Sequence, residues 1–222
     1  MLKVGLTGGI ASGKSVVGEM FVKLGAHLIQ SDVIAHSLME PGRPVYEEVV
    51  RHFGSAILNP DRTINRAKLA EAAFGNAPGQ RGATSGAASP TPSPRVQELN
   101  AIVHPTVIAH ENEWMKQIEA RDPNAVAIVE AALILEAGTA GRFDDLIVVT
   151  CNPEQRIERL ARRLGISQDA ARAEVRRRMA AQIPDEEKIK AADFVIDNSR
   201  SIESTERQVA SVFAALRAGG CK

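Results

Sequence analysis

Gly8-Gly9-Ile10-Ala11-Ser12-Gly13-Lys14-Ser15 is the stretch on which the fold of this chain turns. It fits the spacing G-x-x-x-x-G-K-[ST] in full, the pattern of a loop that cradles phosphates. Residues 2–7 ahead of it form a short apolar run that reads as a buried strand. Residues 14–24 behind it read as a helix. A strand that feeds a glycine turn and opens a helix turns backbone N–H groups inward. It also sets the positive end of the helix against an anion. Lys14 is placed to reach the β- and γ-phosphates of a nucleotide, and the Ser15 hydroxyl to ligate Mg²⁺. The expected nucleotide-binding run is Gly8, Gly9, Ile10, Ala11, Ser12, Gly13, Lys14, Ser15 and Val16.

Outward from the loop, apolar runs at 26–29, 125–129, 146–151 and 194–196 read as further strands. Helical patterns fall at 33–39, 44–53, 65–74, 96–118, 153–164, 168–181 and 201–216. Pro153 stands where proline is favoured, in a first helical turn. Strands alternating with helices predict an α/β fold, a parallel sheet wrapped on both faces. The strand runs are unbroken, as buried parallel strands require. Between Gly75 and Arg95, 17 of 21 residues are Gly, Pro, Ser, Ala or Thr, which predicts a flexible surface insertion without a core of its own.

Bulk properties narrow the function. A chain of 222 residues supports one sizeable domain, with room for a lid or small subdomain. Twenty-seven basic residues balance 27 acidic ones, so no global positive field exists to hold nucleic acid. No run of 18 apolar residues occurs, which predicts no membrane span. The phosphate loop begins within the first ten residues, leaving no room ahead of it for a signal sequence. Two distant cysteines, Cys151 and Cys221, suggest neither a disulfide framework nor a zinc site, and a reducing cytoplasm is the expected compartment. The strings D-x-x-G and N-K-x-D of translation-type GTPases are absent, and the signature loop and length of a transporter ATPase are missing too. A kinase of a small molecule fits best.

Several later stretches then fall into one order. They are Ile29-Gln30-Ser31-Asp32-Val33-Ile34-Ala35-His36, His104-Pro105, Glu130-Ala131-Ala132-Leu133-Ile134-Leu135-Glu136, the arginine-rich run Arg156 to Arg163, Gln182, and Ala192-Asp193-Phe194-Val195-Ile196-Asp197-Asn198. With the opening Val4 to Ser15, they resemble the dephospho-coenzyme A kinases almost end to end, interrupted by the 75–95 stretch. The resemblance implies a single P-loop kinase domain over 1–222, a helical substrate-binding region over 33–118 and a helical lid over 165–188. It implies ATP and Mg²⁺ as cofactors, dephospho-coenzyme A as the small-molecule partner, and transfer to its ribose 3′-hydroxyl. The chain departs from the family pattern twice. Gln30 stands where D-A-D has its first acid, and Ala132 where D-x-P-L-L has its proline.

The residues themselves leave alternatives. Asp32, just past the second strand, reads either as a helix N-cap or as a group at the ligand-binding sheet edge. The resemblance makes it the catalytic carboxylate and a contact to the substrate hydroxyl. Glu130 ends an apolar strand and reads as a holder of a metal-bound water, or as a plain surface carboxylate. Arg156, Arg159 and Arg163 share one helix face, either solvated beside Glu154 and Glu158 or aimed at phosphate. The resemblance gives Arg163 a catalytic role and Arg159 a substrate contact. It adds Arg66 and His104 to the substrate set, Asn198 to the nucleotide set, and leaves Glu136 as a support of the fold. Two rivals stay open here: another small-molecule kinase, such as one acting on nucleoside monophosphates, and a regulator that binds ATP without transferring it.

Overall fold

Each apolar run becomes a strand, and each strand joins one sheet. The computed structural model describes residues 1–74 and 94–219. In chain order its elements are β1 (Leu2–Gly8), α1 (Lys14–Lys23), β2 (His27–Gln30), α2 (Ser31–Leu38), α3 (Pro44–Phe53), α4 (Arg66–Phe74), α5 (Pro94–Arg121), β3 (Val126–Glu130), β4 (Asp145–Thr150), α6 (Pro153–Leu164), α7 (Gln168–Ala180), α8 (Asp185–Ala191), β5 (Phe194–Asp197) and α9 (Ile202–Gly219). The five strands are parallel, in the order β2-β3-β1-β4-β5. Every residue of β3 is buried, as are the last five of β1, because a parallel sheet covered on both faces has no wet side.

The chain divides into two compact units. The first comprises Met1–Gln30 and Trp114–Lys222, and the second is Ser31–Glu113. On one face of the first unit's sheet, Val4, Leu6, Ile128, Ile147, Val149 and Ile196 pack against Val17, Met20 and Phe21 of α1 and Val209, Val212, Phe213 and Leu216 of α9. The Phe21 and Phe213 rings meet at 6.3 Å between centroids. Met115 and Ile118, near the end of α5, cover Ala127 and Val129 on the other face. Truncating one of these buried aliphatic side chains to alanine would cost about 2–5 kcal/mol. The expected α/β fold with helices on both faces is what forms.

In the second unit, α3 buries Val45, Tyr46, Val49 and Phe53, one stripe at helical spacing. The Tyr46 hydroxyl donates to the Arg62 carbonyl at 2.6 Å. Asn65 caps α4, its Oδ1 accepting from the Lys68 amide at 3.1 Å, so that helix begins one residue later than its pattern suggested.

Other expectations need correcting. The insertion read over 75–95 lies outside the described residues except for its end: Pro94 and Arg95 already belong to α5. Pro105 lies inside α5, within the expected helix over 96–118, and its missing N–H leaves the Ala101 carbonyl without the usual helical donor. Asp32 is not an N-cap, since α2 begins at Ser31. The short polar helix α8 was not anticipated. Among the described residues, no helix is long and apolar enough to cross a membrane.

Candidate active site

β1 carries the chain into the phosphate loop at the carboxyl edge of the sheet. Gly8 has φ 153°, and a Cβ there would strike the Val149 carbonyl on the neighbouring β4. At Gly13, φ is 96° and a Cβ would run into the Asn198 amide. Gly8 is therefore required by a close backbone approach and Gly13 by a close side-chain amide, both as well as by conformation. Between them Ala11 adopts φ 54°, and the Cys151 thiol donates to its carbonyl at 3.7 Å. Burial pushes that thiol above its ordinary pKa, which keeps it a protonated donor.

Lys14 lies over the loop, its Nζ donating to the carbonyls of Gly8 at 3.0 Å and Gly9 at 3.3 Å. The first N–H of α1 to bond backward is that of Val17, to Gly13 O at 3.1 Å. The earlier amides of the turn, Val16 included, have no carbonyl one turn back within the helix, which is the arrangement that suits an anion. Ile10 is buried in a cluster with Ile157 and Leu160 of α6 and Ala171 and Val175 of α7. So α7, within the stretch expected to form a lid, packs directly on the loop.

Asn198 and Arg159 brace the loop from behind. Asn198 Nδ2 donates to Ser12 O at 2.9 Å, and Arg159 Nη1 to the same oxygen at 3.2 Å. Arg159 Nη2 donates to Asn198 O at 2.9 Å, and the Thr205 hydroxyl to Asn198 Oδ1 at 3.1 Å. The three arginines of α6 thus differ in surroundings. Arg156 is buried, with its Nη2 paired to Asp185 and its Nε donating to Cys151 O at 3.4 Å. Arg159 is half-buried at the loop, and Arg163 is exposed.

Glu130 is buried at the end of β3, which overturns the reading of it as a surface carboxylate. Its Oε1 accepts from the Ser15 hydroxyl at 2.8 Å and its Oε2 from Gln30 Nε2 at 2.7 Å. The two residues expected at the metal therefore touch, and both offer the hard oxygen donors that Mg²⁺ takes. Among the described residues no group of three His, Cys, Asp or Glu side chains forms a metal site. Past the β3 end, Glu136 Oε1 accepts from Lys188 Nζ at 2.7 Å and from the Ile183 amide at 3.2 Å, as a support of the fold should. Lys188 is fully buried.

The remaining expected residues belong to the second unit. Asp32 is exposed in the first turn of α2. His36, four residues on, is held below its ordinary pKa by partial burial first and then by Arg66, with Asp32 opposing. That pattern makes Asp32, His36 and Arg66 electrostatic neighbours. His104 is also held low by burial, against the pull of Glu111. Glu111 is itself buried and accepts from the Ser31 hydroxyl at 2.6 Å. The sequence reading missed Glu111 and the Arg156–Asp185 pair. Nothing in the local pattern signals them, because their partners lie far off in the chain: Ser31 for Glu111 and Asp185 for Arg156.

Comparison with known proteins agrees with this fold. The family model described as dephospho-CoA kinase matches residues 2–204. A dephospho-CoA kinase of Corynebacterium efficiens is 36% identical over 216 residues, covering 97% of this chain and 98% of its own. A crystal structure from Thermus thermophilus superposes with a TM-score of 0.73 at 30% identity, covering 97% of each chain. A solved dephospho-CoA kinase from Campylobacter jejuni gives 0.57 at 26% identity, with 96% of each chain covered.

Proposed function

The chain belongs to the dephospho-CoA kinase family, and from that premise we propose how its residues transfer the γ-phosphoryl group of ATP to the ribose 3′-hydroxyl of dephospho-coenzyme A. The products are coenzyme A and ADP, at the final step of coenzyme A synthesis. The observation that carries the reading is the formed phosphate loop, with the Lys14 ammonium lying across it and Ser15 bonded to Glu130.

The triphosphate occupies the loop from Gly8 to Ser15, and Lys14 exchanges the Gly8 and Gly9 carbonyls for the β- and γ-phosphates. Ser15 and Glu130 hold Mg²⁺, directly or through water, and the bound ion supplies charge neutralisation on the phosphates. Arg66 holds the coenzyme's own phosphates, and His104 lines the same pocket. Asp32 orients the 3′-hydroxyl and accepts its proton as the oxygen bonds to the γ-phosphorus. The bond to the β–γ bridging oxygen breaks, and ADP leaves. Arg163 balances charge on the transferring group. Little covalent work falls to the protein, so catalysis is chiefly positioning and charge stabilisation. The stretch from 165 to 188 closes as a lid and excludes water. A free, buried Cys151 suits a reducing cytoplasm.

The test is ADP release coupled to a chromogenic reaction, with ATP, Mg²⁺ and dephospho-coenzyme A, for wild type and Asp32→Asn. Acceptor-dependent turnover that falls at least about a hundredfold in the folded variant supports substrate and mechanism together. Turnover with a nucleoside monophosphate instead would overturn the substrate. ATP binding without turnover on any acceptor would favour the regulator.

A further inference from the structure

Gln30 occupies a position that the mechanism above leaves without a role. It ends β2 directly opposite Glu130 in the parallel register of β2 and β3. Its amide lies 2.7 Å from Glu130 Oε2, while Ser15 holds Oε1 at 2.8 Å. A carboxylate only accepts, so the amide must present its nitrogen here. Glu130 is 7% exposed, and a buried carboxylate is tolerated when its oxygens find donors. These two bonds give it one donor on each oxygen.

We propose that Gln30 is a positioning residue for the divalent cation. Its amide fixes Glu130 Oε2, so that Oε1 stays on Ser15, and its neutrality makes the cation enter together with the nucleotide. The inference rests on the reading of Ser15 and Glu130 as the cation's holders. The second half follows from charge. One buried carboxylate and one hydroxyl are a thin ligand set, and Mg²⁺ is ordinarily bound by one or two carboxylates together with substrate phosphates. With a glutamine at 30, the phosphates supply the missing negative charge. An acid at 30 would set two carboxylates opposite each other on adjacent strands, a repulsion that a cation relieves.

The experiment measures Mn²⁺ binding by electron paramagnetic resonance, for the free protein and for its complex with the non-hydrolysable imido analogue of ATP. The Mg²⁺ concentration for half-maximal rate is measured alongside. Gln30→Met is expected to weaken Mn²⁺ in the analogue complex and raise the half-activating Mg²⁺ by about tenfold, the usual effect of losing a support to a metal ligand. The effect on kcat is expected to be smaller. Gln30→Glu is expected to bind Mn²⁺ without nucleotide at least about tenfold more tightly than wild type. If Glu130→Gln weakens Mn²⁺ and Gln30→Met does not, the positioning role is overturned. If Glu130→Gln changes nothing either, the cation reading of Glu130 itself fails. Tight Mn²⁺ binding by free wild type, or none by free Gln30→Glu, overturns the account of cation entry.

Discussion

Asn198 and Arg159 meet on one acceptor, the Ser12 carbonyl, at 2.9 and 3.2 Å. Arg159 also donates to the Asn198 carbonyl at 2.9 Å, closing a triangle between the phosphate loop, α6 and the end of β5. The loop is thus held from its outer side by protein groups. Its inward amides need no rearrangement to receive an anion, the condition for preorganised electrostatic stabilisation.

This triangle separates two arginines that sequence spacing makes look alike. Asn198→Ala removes two side-chain hydrogen bonds of a buried residue and should cost about 1–3 kcal/mol, with KM for ATP rising about tenfold. Arg159→Met should behave similarly. Exposed Arg163→Met should leave the melting temperature unchanged while kcat falls about a hundredfold. Thermal unfolding together with steady-state kinetics on the three variants checks the contrast. Equal loss of stability for both arginine variants would contradict it.

A second prediction concerns the buried ion pair that anchors α8. Lys188 is fully buried and Glu136 is 13% exposed, 2.7 Å apart. Lys188→Met strands a buried carboxylate and should cost about 3–5 kcal/mol. Lys188→Met combined with Glu136→Leu should recover most of that, because two apolar groups need no partner. Urea denaturation midpoints of the single and double variants decide it.

Acid should loosen α7. Hydrogen bonds from Arg177, and then from Arg178, hold the Glu174 carboxyl down at about 2 against a partial burial that opposes them. A pKa depressed in the folded state stabilises above the unfolded value and ceases to do so below the folded one. The contribution is therefore intact at neutral pH and disappears as pH falls from about 4.5 through about 2. Both arginines are largely exposed, so solvent screening limits it to about 1 kcal/mol. Glu174→Gln should melt below wild type at pH 7 and coincide with it near pH 2.

Sequence carried the sheet because its central strands β1, β3 and β4 are buried on both faces, and continuous apolar runs such as Ala125 to Val129 have no other use. It carried the loop because Gly8 and Gly13 answer to positive φ and to close contacts, with the Val149 carbonyl and the Asn198 amide, that leave no room for a side chain. It could not reveal α8, whose seven residues Asp-Glu-Glu-Lys-Ile-Lys-Ala lack an apolar stripe. That helix is anchored instead by two charges, Asp185 on Arg156 and Lys188 on Glu136, whose partners are remote in sequence. The three arginines of α6 were legible as a face but not in their different depths. Gln30 showed in the sequence as an exception, and its register opposite Glu130 gives the exception a partner.

The position of β1 bears on how the molecule is made. Leu2–Gly8 is synthesised well ahead of both its neighbours, for it sits mid-sheet between β3 and β4, whose residues begin at Val126 and Asp145. At about 5–20 residues per second, an apolar strand with both edges open waits many seconds for its partners to leave the ribosome. The second unit, Ser31–Glu113, is complete before then and has its own contacts to form. Vectorial synthesis therefore has the intervening unit ready before the strand that begins the phosphate loop finds its partners. During that interval the nascent β1 has two unpaired edges open to aggregation.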